Sequence, residues 1–410
     1  MKILYIVPNV PSRVRVRPFN LIRRLTQNHE VSVLCLATNE EDRRFAAELP
    51  KHCPNVEIIW LPRWRSVWNC FAALFSSKAL RFAYFYAPSL RRRVVEKVSR
   101  GEVDLVHAEH LKSVPMVQDV VGKVPMVFDA VDCVSMFEAR RRRVIQNPFL
   151  KVFFWMEWEK MAHWEAKACQ LFNRTVITSP VDKGYYPVRE RMLEKIDVVP
   201  NGVDLGHFGF KQYEPEKNLI IFCGNLDYFP NRDAVLYFAR SVWPILRSRR
   251  PELRFEIVGS RPPWSVRRLS GIDNVRVVAS VPDVRPHLGR AWVALCPIRL
   301  QAGIQNKILE AMALGVPVVA TRTCVPGLGV EPGKHVLVAD QPEEIASAVE
   351  LLLDNHTLRA SLVEAARKYV EQHVNWDHSV EKLLDSYAEA MKDFAGSKEV
   401  LATVCLESES

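Results

Sequence analysis

The stretch Cys296–Thr321, CPIRLQAGIQNKILEAMALGVPVVAT, constrains this chain more than any other. Ile304, Ile308 and Met312 recur every four residues, with Leu309 and Ala313 beside them, so one stripe of a helix faces a core. Gly303 precedes the helix, Gly315 suits the left-handed residue past its end, and Pro317 forbids continuation. VPVVA then reads as a short strand buried on both faces, the kind a parallel sheet uses. Lys307 and Glu310 stand three residues apart and point the same way. A helix beginning near Ile304 behind a glycine offers N–H groups and a positive dipole end, a ready anion site. Lys307 adds a charge in the first turn, and Glu310 lies roughly 4–5 Å further along the axis. That separation suits a ligand with phosphates at the helix tip and a sugar diol at the carboxylate. The plainer reading of the same residues is an ordinary α/β helix with a solvated Lys–Glu pair.

The segment resembles the donor-site element of the retaining sugar-nucleotide glycosyltransferases of family 4, which have the GT-B architecture. The family form is E-G-F-G-x-x-x-x-E-A-M-A-x-G-x-P-V-V. Glu310 matches its second glutamate, which the resemblance implies grips the nucleotide ribose. Ala302 stands where the first glutamate would be. In that respect the chain resembles a subgroup in which an arginine before the loop, here Arg299, and a lysine in the helix, here Lys307, hold the anionic groups; Gly303 and Ile304 complete the donor loop. Three further landmarks carry the resemblance. IDVVPNGVDLGHF is similar to the family's V-x-P-N-G-V-D-x-x-x-F at the crossover into the second domain. Gly224-Asn225 followed by Pro230-Asn231 is similar to a G-x-x-D-x-x-P-N variant of the first donor strand, and ASVPDV, around Val281, to the loop that contacts the base.

The resemblance implies an α/β protein of GT-B type, two Rossmann-like doubly wound parallel-sheet domains facing across a cleft. The expected domains are 1–195 on the acceptor side, completed by a helix at about 376–394, and 196–375 on the donor side. A tail at 396–410, small, polar and without pattern, reads as disordered. Length agrees, since 410 residues suit two domains of roughly 200.

Read in order, KILYIVP is a buried strand, FNLIRRLTQN a helix and VSVLCLA the next strand, a βαβ opening to a parallel sheet. The loop between them lies at a strand's carboxyl end, where such sheets bind ligands. It holds Arg13, Arg15 and Arg17 and no glycine, so these arginines are candidates for acceptor-side charge; solvated surface arginines are the alternative. VDLVHAEH ends in His107, Glu109 and His110, and VPMVFDAVD in Asp129 and Asp132. Titratable groups at the tips of neighbouring buried strands are a functional signal. His107 also matches the first histidine of the family's H-x-H element, which makes His107, Glu109 and Asp129 the catalytic candidates and Asp132 an acceptor-side one. TVITSP is the last strand expected in this domain.

The net charge of +9 is unevenly placed. Residues 61–100 hold nine Lys or Arg and one acid, Glu96, interleaved with Trp64, Trp68, Phe71, Phe75, Phe82, Tyr84, Phe85 and Tyr86. A second basic cluster, Arg140–Arg143, leads into FLKVFFWMEWEKMAHW. Such interleaving suits an anionic membrane surface; the alternative is that the aromatics fill a core and the arginines cover it. No nucleic-acid module accompanies the charge. Nine cysteines, an odd number without C-x-x-C, read as reduced thiols in a cytosolic protein. The apolar start before Pro8 is too short for a signal peptide, and no apolar run approaches membrane-spanning length.

No D-x-D, G-x-G-x-x-G or G-x-x-x-x-G-K-[ST] occurs, which argues against metal-dependent single-sheet transferases, dinucleotide enzymes and P-loop NTPases. The expectation is therefore a transferase needing no cofactor and no metal. Its partners would be a nucleotide sugar, a glycan or lipid-linked acceptor and an anionic membrane, with no nucleic acid. It would work at the cytoplasmic face of the plasma membrane, in polysaccharide or glycolipid assembly. A nucleotide-sugar 2-epimerase and a non-catalytic sugar-nucleotide-binding protein are the alternatives.

Overall fold

The structure, a computed structural model, describes residues 1–74, 79–144, 147–300 and 303–408. The chain forms two compact units: Met1–Pro200 with Ser379–Ser410, and Asn201–His378.

The first unit holds strands β1 (Lys2–Val7), β2 (Glu30–Ala37), β3 (Asn55–Trp60), β4 (Leu105–Glu109), β5 (Met126–Val131), β6 (Arg174–Ile177) and β7 (Ile196–Val198). They form one parallel sheet in the order β3-β2-β1-β4-β5-β6-β7. Parallel neighbours require crossovers, supplied by α1 (Val16–Asn28), α2 (Glu40–Glu48), α3 (Arg63–Leu74), α4 (Leu80–Phe85), α5 (Pro88–Ser99), α6 (Val114–Val117), α7 (Val134–Val144), α8 (Pro148–Leu171), α9 (Pro180–Gly184) and α10 (Glu190–Leu193). Ile3–Val7 of β1 and all of β4 are buried, as the apolar runs require of central strands. Chain order reverses between β1 and β4, the position at whose strand ends sheets of this kind bind ligands. The IDV of the crossover motif is itself the seventh strand, paired with β6, and not only a connection.

The second unit holds β8 (Glu216–Cys223), β9 (Arg254–Gly259), β10 (Val275–Ala279), β11 (Ala291–Cys296), β12 (Val318–Ala320) and β13 (Leu337–Val338), parallel in the order β10-β9-β8-β11-β12-β13. Its helices are α11 (Phe229–Tyr237), α12 (Trp243–Arg249), α13 (Trp264–Arg267), α14 (Arg285–Gly289), α15 (Asn306–Leu314), α16 (Pro342–Asp354) and α17 (His356–His373). Phe238 and Trp243 meet Phe255 of β9 with ring centroids 4.7 and 5.8 Å apart, fixing one helical layer on the sheet. Here the order reverses between β8 and β11. A final helix, α18 (Trp376–Ser408), starts in this unit and from Ser379 onward belongs to the first. It extends to Ser408, within the stretch expected to be a disordered tail.

Helix α15 begins at Asn306, two residues later than the periodicity places it, because Gly303 takes a left-handed backbone (φ 71°) and Gln305 (φ −87°, ψ 85°) is still outside the helical range. Ile308, Leu309, Met312 and Ala313 are buried as expected, and Ala311 and Leu314 with them. Gly315 ends the helix at φ 83°, and the Val316 N–H returns to the Ala311 carbonyl at 2.9 Å, the glycine-terminated cap the sequence implies.

Candidate functional site

The switch point of the second unit gathers the residues that follow β8 and β11. Lys307, in the first turn of α15, donates from Nζ to Asn231 Oδ1 at 2.6 Å, and the same amine lies 4.2 Å from the centre of the Phe222 ring. Asn231, in the first turn of α11, also donates from Nδ2 to the Asn225 carbonyl at 2.8 Å. A side chain at Gly224 would put its Cβ 2.9 Å from both Asn231 Nδ2 and Lys307 Nζ, so glycine is what lets these groups converge. Burial pulls the Lys307 amine below its ordinary value. Glu310 is half-buried, and burial lifts its carboxyl to about 7 against the pull of Lys307. It makes no hydrogen bond or ion pair among the described residues, so its oxygens remain available to a ligand.

Arg299 stands apart from this group. Its guanidinium forms a two-point pair with Asp233, at 3.0 and 2.7 Å, and lies 4.5 Å from the centre of the Tyr237 ring. Both partners are on α11, two and six residues beyond Asn231, so the charge expected beside Lys307 is already matched by a carboxylate. Asn225 Oδ1 is occupied by the Asp227 N–H at 3.1 Å. Val281 follows β10 half-buried, and Ile304 packs on the core just ahead of the helix. Asn201 donates to Asn306 Oδ1 at 3.1 Å and ties the crossover motif to the start of α15. Ala302 lies outside the described residues.

The first unit brings its strand-tip residues together in its interior. Arg17, in the first turn of α1, donates from Nε to Asp129 Oδ2 at 2.7 Å and from Nη1 to the Val199 carbonyl at 3.0 Å. His107 and Asp129 are fully buried, with His107 Nε2 3.6 Å from Asp129 Oδ2. His107 Nδ1 bonds the Tyr387 hydroxyl of α18 at 2.9 Å, and its ring stacks on Tyr5 at 4.0 Å. Tyr5 donates to Glu109 Oε2 at 3.2 Å. Burial, helped by the Arg17 charge, holds His107 well below the usual imidazole range, so it is neutral and makes no ion pair with Asp129. Burial, and then the Asp129 charge, push Glu109 up to about 8. Burial also raises Asp129, though Arg17 opposes it. Asp132 is half-buried, and burial with neighbouring Asp182 lifts it to about 7.

The three loop arginines have three different settings. Arg17 turns inward. Arg15 pairs with Asp42 at 2.7 Å and with the Val10 carbonyl at 2.8 Å, holding the loop against α2. Arg13 is exposed above Phe19. Asn231, Asp233, Tyr5 and Tyr387 are not among the sequence candidates. Asn231 alone has a signal, its place in the P-N step of the donor-strand variant.

The basic-aromatic stretch divides. Phe82 is buried, whereas Trp64, Trp68 and Phe71 of α3 are 69, 68 and 55% exposed, so core filling does not account for them. Phe75 lies outside the described residues.

Residues 217–355 match the family described as glycosyl transferases group 1. The chain is 27% identical over 222 residues to a D-inositol 3-phosphate glycosyltransferase of Paenarthrobacter aurescens, covering 48% of this chain and 53% of that one. It is 25% identical over 181 residues to an uncharacterized glycosyltransferase of Haemophilus influenzae, covering 42% and 48%. The chain thus spans about half the length of the curated relatives it matches. In fold it is similar to Alr3699/HepE of Anabaena, solved with UDP and glucose, at a TM-score of 0.68 and 14% identity over 95% of this chain and 99% of that one.

Proposed function

We propose that this chain, a GT-B glycosyltransferase with a group 1 glycosyl transferase domain at residues 217–355, moves a sugar from a nucleoside diphosphate to an acceptor hydroxyl. The observation that carries the reading is the Lys307 amine held by Asn231 at the switch point of the second unit, with the Glu310 carboxyl, which has no hydrogen bond among the described residues, one turn deeper. When the bond from the anomeric carbon to the diphosphate oxygen breaks, negative charge gathers on the diphosphate. Lys307, hydrogen-bonded among the described residues to a neutral amide and to no carboxylate, can exchange Asn231 for a phosphate oxygen and bring its charge to the diphosphate. The N–H groups opening α15 add to it. Positive groups fixed in place before the reaction usually contribute more to catalysis of this kind than any other single effect. Glu310 would accept from the ribose hydroxyls.

On the acceptor side, Asp132 is partly exposed and titrates near neutrality, which suits it to hold and deprotonate a hydroxyl, with Glu109 in support. His107 and Asp129, having no exposed surface, would act as positioning residues. The proposal extends to retention of configuration without a metal and to a glycan or lipid-linked acceptor. It places the work at an anionic cytoplasmic membrane face, in polysaccharide or glycolipid assembly. UDP in the Anabaena structure and the phosphorylated polyol acceptor named for the Paenarthrobacter relative support a nucleotide donor and a hydroxyl acceptor.

Screening nucleoside diphosphate sugars for a rise in thermal midpoint identifies the donor, because a ligand bound only by the folded state stabilises it. Transfer of labelled sugar from that donor to a membrane lipid extract, lost in Lys307→Ala, is the expected result; unchanged transfer rejects the role of Lys307. A donor-binding protein without transferase activity is the second reading, favoured by the burial of His107 and Asp129. Calorimetric donor binding with no product on any acceptor would select it.

A further inference from the structure

Helices α7 and α8 pack against each other, and away from α7 the start of α8 presents a wide apolar surface that the described residues leave exposed. Phe149, Leu150, Val152, Phe153, Trp155 and Met156 are all exposed, Phe149 by 85%. At about 100° per residue these six span about 220° of the helix circumference, and the remainder holds Lys151 and Phe154, the latter beneath Arg141 of α7. An apolar arc this wide belongs inside a core or a membrane, yet these side chains are outside the core of their unit. Behind it sits a basic collar. Arg141 lies over Phe154 at 4.1 Å, Arg142 over Trp158 at 5.5 Å and Arg140 over Tyr185 at 5.5 Å. From Arg140 to Met156 the chain has five basic residues and no acid. A shallow cavity beside the tip is lined by Arg142, Lys151, Val152 and Trp155, two cations facing two apolar groups.

We propose that the start of α8 is a membrane wedge that inserts into an anionic lipid surface, with Arg140, Arg142 and Lys151 receiving lipid phosphates while Arg141 stays paired with Glu138. An exposed apolar arc of about 220° is roughly twice the 100° stripe that a helix buries against one packed partner, and acyl chains cover an arc of that width. Cations on long stems directly behind that tip are placed to reach headgroups while their stems stay in the apolar layer. Helix α3 of the same unit adds a second element: Trp64, Val67, Trp68 and Phe71 form one exposed i, i+3, i+4, i+7 stripe flanked by Arg63 and Arg65. Helix α4 carries α3 onto α8 through Phe82 and Trp164, whose rings are 5.2 Å apart. No helix among the described residues is long and apolar enough to cross a membrane, so the wedge would hold the protein at one leaflet.

The inference rests on the membrane-borne acceptor of the preceding section only for its purpose, and the test separates the two. Full-length protein without donor is sedimented with phosphatidylcholine vesicles with and without phosphatidylglycerol. Binding is expected on the anionic vesicles and at least tenfold weaker on the neutral ones. Phe149→Glu with Trp155→Glu, at exposed positions, should leave the thermal midpoint unchanged and weaken binding at least tenfold. Arg140→Ala with Arg142→Ala should remove most of the preference for phosphatidylglycerol. Lys307→Ala should bind vesicles like the unaltered chain. Undiminished binding by the tip variant overturns the proposal. So does a dimer that the tip variant dissociates, with no vesicle binding by the unaltered protein. Vesicle binding without transfer to any acceptor would leave the wedge standing and remove the transferase reading.

Discussion

Lys307 Nζ donates to Asn231 Oδ1 at 2.6 Å, joining the helix after β11 to the helix after β8 across the point where strand order reverses. The bond holds the amine in place without spending its charge on a carboxylate, and that distinguishes Lys307 from Arg299, which Asp233 neutralises at two points. Lys307→Ala is expected to lower turnover several-fold to hundreds-fold, since it removes charge needed only as the diphosphate leaves. Asn231→Ala keeps that charge but not its placement, and should act less strongly and mainly through donor KM. Steady-state kinetics on both variants checks this. Equal losses in kcat for the two would mean that Asn231 does more than position.

Gly224 and Gly259 give a paired test of crowding at the same crevice. A Cβ at Gly224 meets only side-chain ends, Asn231 Nδ2 and Lys307 Nζ, whereas one at Gly259 would lie 1.8 Å from the Gly224 carbonyl oxygen. Gly224→Ala should therefore fold with a near-normal thermal midpoint and bind donor about tenfold more weakly. Gly259→Ala forces backbone apart and should lose about 1–3 kcal/mol of stability, as overpacking typically does. Differential calorimetry with donor titration separates the two outcomes.

In the first unit, the Arg17–Asp129 pair is buried on both sides, with side chains 4% and 0% exposed. Removing one partner of such a pair leaves an uncompensated charge and typically costs about 3–5 kcal/mol. Arg17→Met should fall in that range, and adding Asp129→Leu should restore much of it, because the double variant leaves no orphan charge. Denaturant unfolding of the three variants checks it; strict additivity of the two losses would show that the groups do not interact.

Much of this arrangement is legible in the sequence, and what is not has physical reasons. Alternation and buried apolar runs locate most strands, because a central parallel strand must be apolar on both faces. The strand-tip logic brings His107, Glu109 and Asp129 to one place without coordinates. What sequence does not say is which way a side chain turns. Arg13, Arg15 and Arg17 alternate along one loop, and only packing decides that Arg17 goes inside, where Asp129 meets it. Tyr387 reaches His107 from 280 residues away, a pairing no local pattern encodes. Arg299 reads as a spare cation because its partner Asp233 lies 66 residues upstream on another helix. The seventh strand is hidden because its three residues, IDV, sit inside a turn motif.

Glu165 gives a pH dependence whose sign follows from its surroundings. It lies on α8, 1% exposed, and accepts the backbone N–H groups of Val134 and Ser135 at 2.6 and 3.3 Å, capping α7. Those donors favour the anion, but burial outweighs them and lifts the carboxyl to about 7. In the unfolded chain the same group titrates near 4.3. Between these values the folded state holds a proton that the unfolded state has lost, so stability falls as pH rises. The contribution is fully present below about pH 4 and gone above about pH 7, at most about 1.4 kcal/mol per pH unit and on the order of 4 kcal/mol in all. Glu165→Gln cannot ionise and keeps an acceptor oxygen for the α7 cap. Its thermal midpoint should therefore decline less between pH 5 and pH 8 than that of the unaltered chain, by several degrees. Parallel curves for the two proteins would mean that Glu165 is already ionised at pH 5, with the Val134 and Ser135 donors stronger than the burial that opposes them.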